Sequence, residues 1–203
     1  MDYLEFSKKF SNLNCRPKDG KRLSADDLKI RCGEYDRKSN AIELFKHQER
    51  EVDTFTLHPL YSKTSYRNDL AVIHTTEAFK QAPNVNTICL PKPDSPFSEA
   101  ICTSMGWGVN SEDTNAIGVD IMKQVRLNRV TNRTQCEETI MATEKVSKTW
   151  ELDNSWICAE ALQDNNDNVL CQGDGGGPLV CQEQGTNRYI QKTYFFKAKQ
   201  NKK

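Results

Sequence analysis

Short alternating or wholly apolar runs recur along the chain at residues 50–57, 69–74, 101–106, 121–127, 155–159 and 178–182. Each is bounded by polar, turn-forming residues, which predicts strands rather than helices. One helix is predicted, over 132–140, with Thr134 as its cap ahead of Gln135 and Glu137. Residues 146–153 and 164–168 read as exposed loops. Prolines and polar residues thicken between Cys89 and Pro96, which divides the pattern into a first unit ending near 90 and a second starting near 97. The fold class is all-β, as one sizeable domain or two small barrels.

Charge narrows the partners. The chain has 28 basic and 28 acidic residues, a balance that argues against a nucleic acid held by bulk electrostatics. No run of about 18 apolar residues could cross a membrane. Residues 1–15 are polar and charged and lack the apolar core of a signal peptide. Eight cysteines without paired Cys-x-x-Cys spacing fit disulfides better than a zinc site, which points to an extracellular compartment. An extracellular chain without a signal is then expected to be less than the whole precursor.

The chemistry concentrates in Cys171-Gln172-Gly173-Asp174-Gly175-Gly176-Gly177-Pro178-Leu179-Val180-Cys181. Three successive glycines suit an ordinary flexible turn. A phosphate-cradling loop is excluded because no Lys-Ser or Lys-Thr pair follows. Other segments stand upstream in a fixed order: Leu57-His58-Pro59, Asn68-Asp69-Leu70-Ala71-Val72-Ile73, Ile88-Cys89-Leu90-Pro91, Cys102 through Gly106-Trp107-Gly108, and Trp156-Ile157-Cys158-Ala159.

In that order these segments resemble the chymotrypsin-like serine proteases, over roughly residues 24–191. Leu28 to Asp36 and Tyr66 to Ile73, with glycine at position 175, resemble more narrowly the arthropod clip-domain serine protease homologues of the prophenoloxidase-activating type. The resemblance implies a double Greek-key β-barrel, truncated at both ends, with one short helix. It divides the chain into a divergent segment 1–23, a partial protease-homologue domain 24–191 and a non-homologous basic tail 192–203.

The resemblance also assigns roles. Asp69 matches the triad carboxylate, and Gly175 stands where the nucleophilic serine belongs. Glycine has no hydroxyl, so it cannot form an acyl-enzyme. No histidine precedes Asp69 in the context of the family base; His47, His58 and His74 are read as surface or strand residues. Asp69 is expected to persist as a buried hydrogen-bond acceptor. The N–H groups of Gly173 and Gly175 would outline an oxyanion-hole remnant. Asp174 matches the aspartate that pairs with a newly cut N-terminal amine, although no cleavage segment of the Ile-Val-Gly-Gly type occurs here. Val169 falls at the specificity-pocket position, where a basic substrate side chain would lack its charge partner.

Disulfides Cys102–Cys181 and Cys136–Cys158 are carried over from two family bridges. Cys89 and Cys171 resemble cysteines whose partners lie outside this chain, whereas Cys15 and Cys32 have no assigned partner and could pair with each other. Asn132-Arg133-Thr134 is the sole N-glycosylation sequon. Glu34 and Glu43 lie in a segment resembling a calcium loop, but Arg37 and Lys38 favour a solvated loop, so no metal and no cofactor is expected. The implied function is a non-catalytic binding cofactor or regulator of an extracellular proteolytic, innate-immune (melanization-type) cascade. Its partners would be proteases or their zymogens. The alternatives are a serine-type endopeptidase and a non-functional fragment.

Overall fold

The computed structural model describes residues 24–39, 42–92, 101–110, 118–130, 132–143, 150–162, 170–183 and 185–194. Two antiparallel sheets form. The first has the order β1-β2-β3, from β1 (Lys29–Cys32), β2 (Gln48–Leu57) and β3 (Ala71–Thr75). The second contains β4 (Cys102–Gly106), β5 (Lys123–Arg129), β6 (Ala159–Ala161), β7 (Pro178–Gln182) and β8 (Tyr189–Tyr194) in the order β6-β5-β4-β7-β8. A single α-helix, α1 (Arg133–Thr143), lies between β5 and β6 among the described residues. Two antiparallel sheets with one short α-helix are consistent with a chymotrypsin-like β-barrel fold.

The second sheet holds the denser core. Cys102, Val125, Leu127, Leu170, Leu179 and Cys181 pack together, with Ile157 against them. The two-residue period of a strand places Cys102, Ser104 and Gly106 of β4 on the buried face, and Lys123, Val125 and Leu127 of β5 with them. Cys102 and Cys181 are direct partners in the β4–β7 register and are joined by a disulfide. A second disulfide, Cys136–Cys158, fastens α1 to the segment before β6.

Backbone bridges join the two halves of the chain at two places among the described residues. Asp36 bridges Ile121, the Arg37 N–H donates to Asp120 O, and the Trp107 Nε1–H donates to Tyr35 O at 3.0 Å. At the second place Cys89 bridges Ile190 in parallel, and the Gln191 N–H donates to Cys89 O at 2.9 Å.

Local chemistry explains where the elements depart from the hydrophobic pattern. The strand expected over 155–159 is instead β6, at 159–161. Asp153 Oδ1 accepts both the N–H and the hydroxyl of Ser155, and the Trp156 N–H donates to Asp153 O. This local turn takes the backbone groups that a ladder would need. Likewise β3 starts at Ala71 because the Leu70 N–H donates to Asn68 O, closing a three-residue turn with Asp69 at its centre. The helix is capped by Asn132, not Thr134: Asn132 Oδ1 accepts the Gln135 N–H at 3.1 Å, and Thr134 lies inside the first turn. Strand β1 turns Ile30 and Cys32 inward and Lys29 and Arg31 outward, where they pair across the ladder with Glu51 and Glu49. Strand β8 continues three residues past Gln191, laddered on β7 as far as Pro178↔Tyr194.

Candidate active site

The glycine-rich loop before β7 is wound around one side chain. The Asp174 N–H donates to Cys171 O and the Gly177 N–H donates to Asp174 O, so the loop is two consecutive tight turns. Asp174 itself is 2% exposed. Its Oδ1 accepts the Gly108 N–H at 2.8 Å, and its Oδ2 accepts the Cys171 N–H at 2.9 Å. Lys123 Nζ completes the set, 2.7 Å from Oδ2, and donates also to Gly108 O and Val109 O at 3.2 and 2.8 Å.

This carboxylate explains the Gly106-Trp107-Gly108 sequence. A Cβ on Gly108 would lie 2.6 Å from Asp174 Cγ, and one on Gly106 would overlap Asp174 Oδ1. Only glycine lets β4 and the following turn close over the buried charge. The Val109 N–H then donates to Gln172 O at 2.9 Å, tying the two segments together.

Within the loop, Gly173 and Gly176 adopt positive φ, 97° and 89°, which favours glycine. Gly175 is not among the residues with positive φ. Its φ therefore does not by itself demand glycine. Among the described residues, neither the Gly173 nor the Gly175 N–H donates to a backbone carbonyl.

Asp69 is half-buried rather than buried, because the turn centred on it holds it at the mouth of β3. Two residues just before it are left-handed, Tyr66 at φ 57° and Asn68 at φ 52°. They are held from the second sheet's side: Trp156 Nε1–H donates to Tyr66 O, the Asn68 N–H to Ser155 Oγ, and Arg67 pairs with Asp153 at 3.0 Å. Arg133 at the start of α1 clamps that loop by donating to Leu152, Asp153 and Trp156 carbonyls.

The histidines have other occupations. His58 Nδ1 accepts the Leu60 N–H, His74 lies opposite Thr54 in the β2–β3 ladder, and His47 Nδ1 is 3.2 Å from Glu34 Oε2. Val169 and Cys15 lie outside the described residues. Cys32, Cys89 and Cys171 are thiols.

Glu34 is not in a solvated loop; it is 8% exposed and pairs with Arg31 at 2.5 Å. Glu43 Oε1 accepts the N–H groups of Asp36 and Tyr35, which hold its carboxyl below the usual range. Glu34, Glu43 and His47 bring one ligand atom each within 4.8 Å of the others, so these three are the described residues that could hold a cation. Arg31 already supplies one positive charge to Glu34.

Two features went unread in the sequence. Lys123 occupies an inward position of β5, in phase with Val125 and Leu127, and that phase was the available signal for a buried counter-charge. The clamp of Arg133, Asp153 and Trp156 on residues 66–68 had no local signal, since its parts are 65 or more positions apart.

Comparison with known proteins places these features in a family. The Trypsin family profile matches residues 15–197. Phenoloxidase-activating factor 2 of Galleria mellonella is 31% identical over 83% of this chain and 54% of its own length. Inactive CLIP domain-containing serine protease A28 of Anopheles gambiae is 33% identical over 79% of this chain and 40% of its own. Serine proteinase stubble of Drosophila melanogaster is 33% identical over 80% of this chain and 19% of its own. The chain thus spans about half, or less, of the curated relatives it matches.

Proposed function

The chain belongs to the trypsin family, and from that premise we propose that it is a non-catalytic member, a cofactor or regulator that binds proteases or their zymogens in an extracellular cascade. The observation that carries this reading is Gly175 at the position where the family carries its nucleophilic serine. An endopeptidase of this family needs a hydroxyl there, an imidazole to take its proton and a carboxylate to orient the imidazole. In this reading Asp69 is the surviving carboxylate, and the N–H groups of Gly173 and Gly175 are what remains of an oxyanion hole. Val169 at the pocket position leaves a basic side chain without a counter-charge.

Three further observations support the reading. Relatives from mosquitoes bear the name inactive CLIP domain-containing serine protease, at 33%, 34% and 28% identity. Another is named for phenoloxidase activation. The two disulfides suit an oxidising, extracellular setting.

The test is a reconstituted cascade of an active clip-domain protease and a prophenoloxidase zymogen, with and without the purified chain. The reading predicts a dose-dependent change in phenoloxidase generation while the chain alone cleaves nothing. An unchanged rate at every dose, or cleavage of the zymogen by the chain alone, contradicts it.

A further inference from the structure

Lys123 and Asp174 form a closed electrostatic unit inside the second sheet. Their side chains are 4% and 0% exposed. An ammonium has three N–H donors, and Lys123 has three acceptors: Asp174 Oδ2, Gly108 O and Val109 O. Asp174 accepts from Lys123, from the Gly108 N–H and from the Cys171 N–H. Neither charge is left over. A carboxylate buried to this depth needs a positive partner, because alone it would carry an uncompensated desolvation penalty.

We infer that Lys123 performs, from within the folded chain, the charge compensation that family members obtain from an amine released by chain cleavage, so the 171–177 loop is set when the protein folds. The reasoning is one of occupancy. An incoming terminal ammonium would have to displace Lys123 Nζ from Asp174. Lys123 springs from the buried face of β5, so its displaced charge would stay inside the sheet with only two carbonyl partners. Exchange is therefore unfavourable even where an amine is supplied. Gly108 and Val109 take part in both halves of the unit, since the Val109 N–H donates to Gln172 O. The same pair thus orders both the turn after β4 and the loop that bears Gly175. The inference does not rest on the cascade reading and holds whatever the partner is.

The test uses the unmodified protein. The folded chain is treated with an amine-acetylating reagent, and the acetylation rate of each lysine is followed by mass spectrometry, with and without millimolar Ile-Val dipeptide as a mimic of a cut chain terminus. Lys29, on the exposed side of β1, is the internal reference. Lys123 is expected to acetylate about 100-fold or more slowly than Lys29, as befits a group released only by opening of the sheet. The dipeptide is expected to change neither rate. Acetylation of Lys123 within roughly tenfold of Lys29 would overturn the inference, since exposure of that order means the pair is open in solution. Acceleration at Lys123 on adding the dipeptide would overturn it equally, by showing that a free amine displaces the side chain. Lys123→Met, followed by hydrogen exchange, supplies a second readout: faster exchange at the Gly108 and Cys171 amides supports the unit, and unchanged exchange in a folded variant opposes it. If that variant does not fold, the native acetylation rates decide.

Discussion

Trp156 Nε1–H donates to the carbonyl oxygen of Tyr66 at 3.2 Å, linking residues 90 positions apart in the sequence. Tyr66 is a bulky residue at φ 57°, a conformation that costs about 1–3 kcal/mol unless its surroundings impose it. The link from Trp156, the Asn68–Ser155 bond and the Arg67–Asp153 pair hold it from outside, beside the local bonds from the Tyr66 N–H to Ser62 O and from the Ser62 N–H to Arg67 O. Trp156→Phe keeps an aromatic side chain but removes the donor together with one ring of the indole. Chemical denaturation should show a loss of about 1 kcal/mol, and limited proteolysis should show faster cutting at 60–68. Unchanged cutting there would mean that the left-handed turn maintains itself.

Gly106→Ala should be among the most damaging single-methyl changes in the protein. Its Cβ meets a carboxylate held by Lys123 and two N–H groups, with nowhere to move. A loss of about 2–3 kcal/mol in thermal or urea unfolding is expected, in the range of overpacked cores. Gly185→Ala is the control: its Cβ meets nothing within 4 Å, and only the φ of 74° opposes it. About 1 kcal/mol is expected there.

These glycines also show how far the sequence could be read. The landmark segments placed β4, β7 and the loop between Cys171 and Cys181 because each carries a local pattern of apolar alternation or turn residues. The reason for Gly106 and Gly108 was not readable, since it is a carboxylate 66 positions from Gly108. Strand β1 was missed because it is only four residues long, so the alternation of Ile30 and Cys32 with Lys29 and Arg31 is too short a run to stand out. The 155–159 run misled because Asp153 and Ser155, just at its start, fold back on themselves. The helix cap went to Thr134 rather than Asn132 because both are good caps and only the fold selects between them.

The two disulfides close loops of unequal length, 79 and 22 residues. The chain-entropy relation gives about 4.5 and 3.4 kcal/mol for them, so removing Cys102–Cys181 should cost about 1 kcal/mol more than removing Cys136–Cys158. Paired alanine variants compared in urea measure this. Cys102 and Cys181 are also core residues, which adds to the first loss. Equal costs would count against that relation.

Burial pushes the Cys32 thiol up to about 11, partly offset by Arg50. The folded state therefore holds the proton more tightly than the unfolded chain. The stability this contributes is complete below the unfolded value and is lost as pH rises toward 11. Alkylation of Cys32 by iodoacetamide should accordingly be slow at neutral pH and climb throughout the alkaline range up to that value, followed by peptide mapping. A rate that levels off near pH 9, at the ordinary thiol value, would show that the burial is not maintained in solution.

The central claim is that this member of the trypsin family binds but does not hydrolyse. Labelling of the purified chain with a fluorophosphonate probe tests it most directly, since the reagent requires an activated serine hydroxyl. The account predicts no labelling in the native chain and none in Gly175→Ser, where a hydroxyl is restored but no imidazole stands ready to take its proton. Stoichiometric labelling at any serine of the native chain would contradict it.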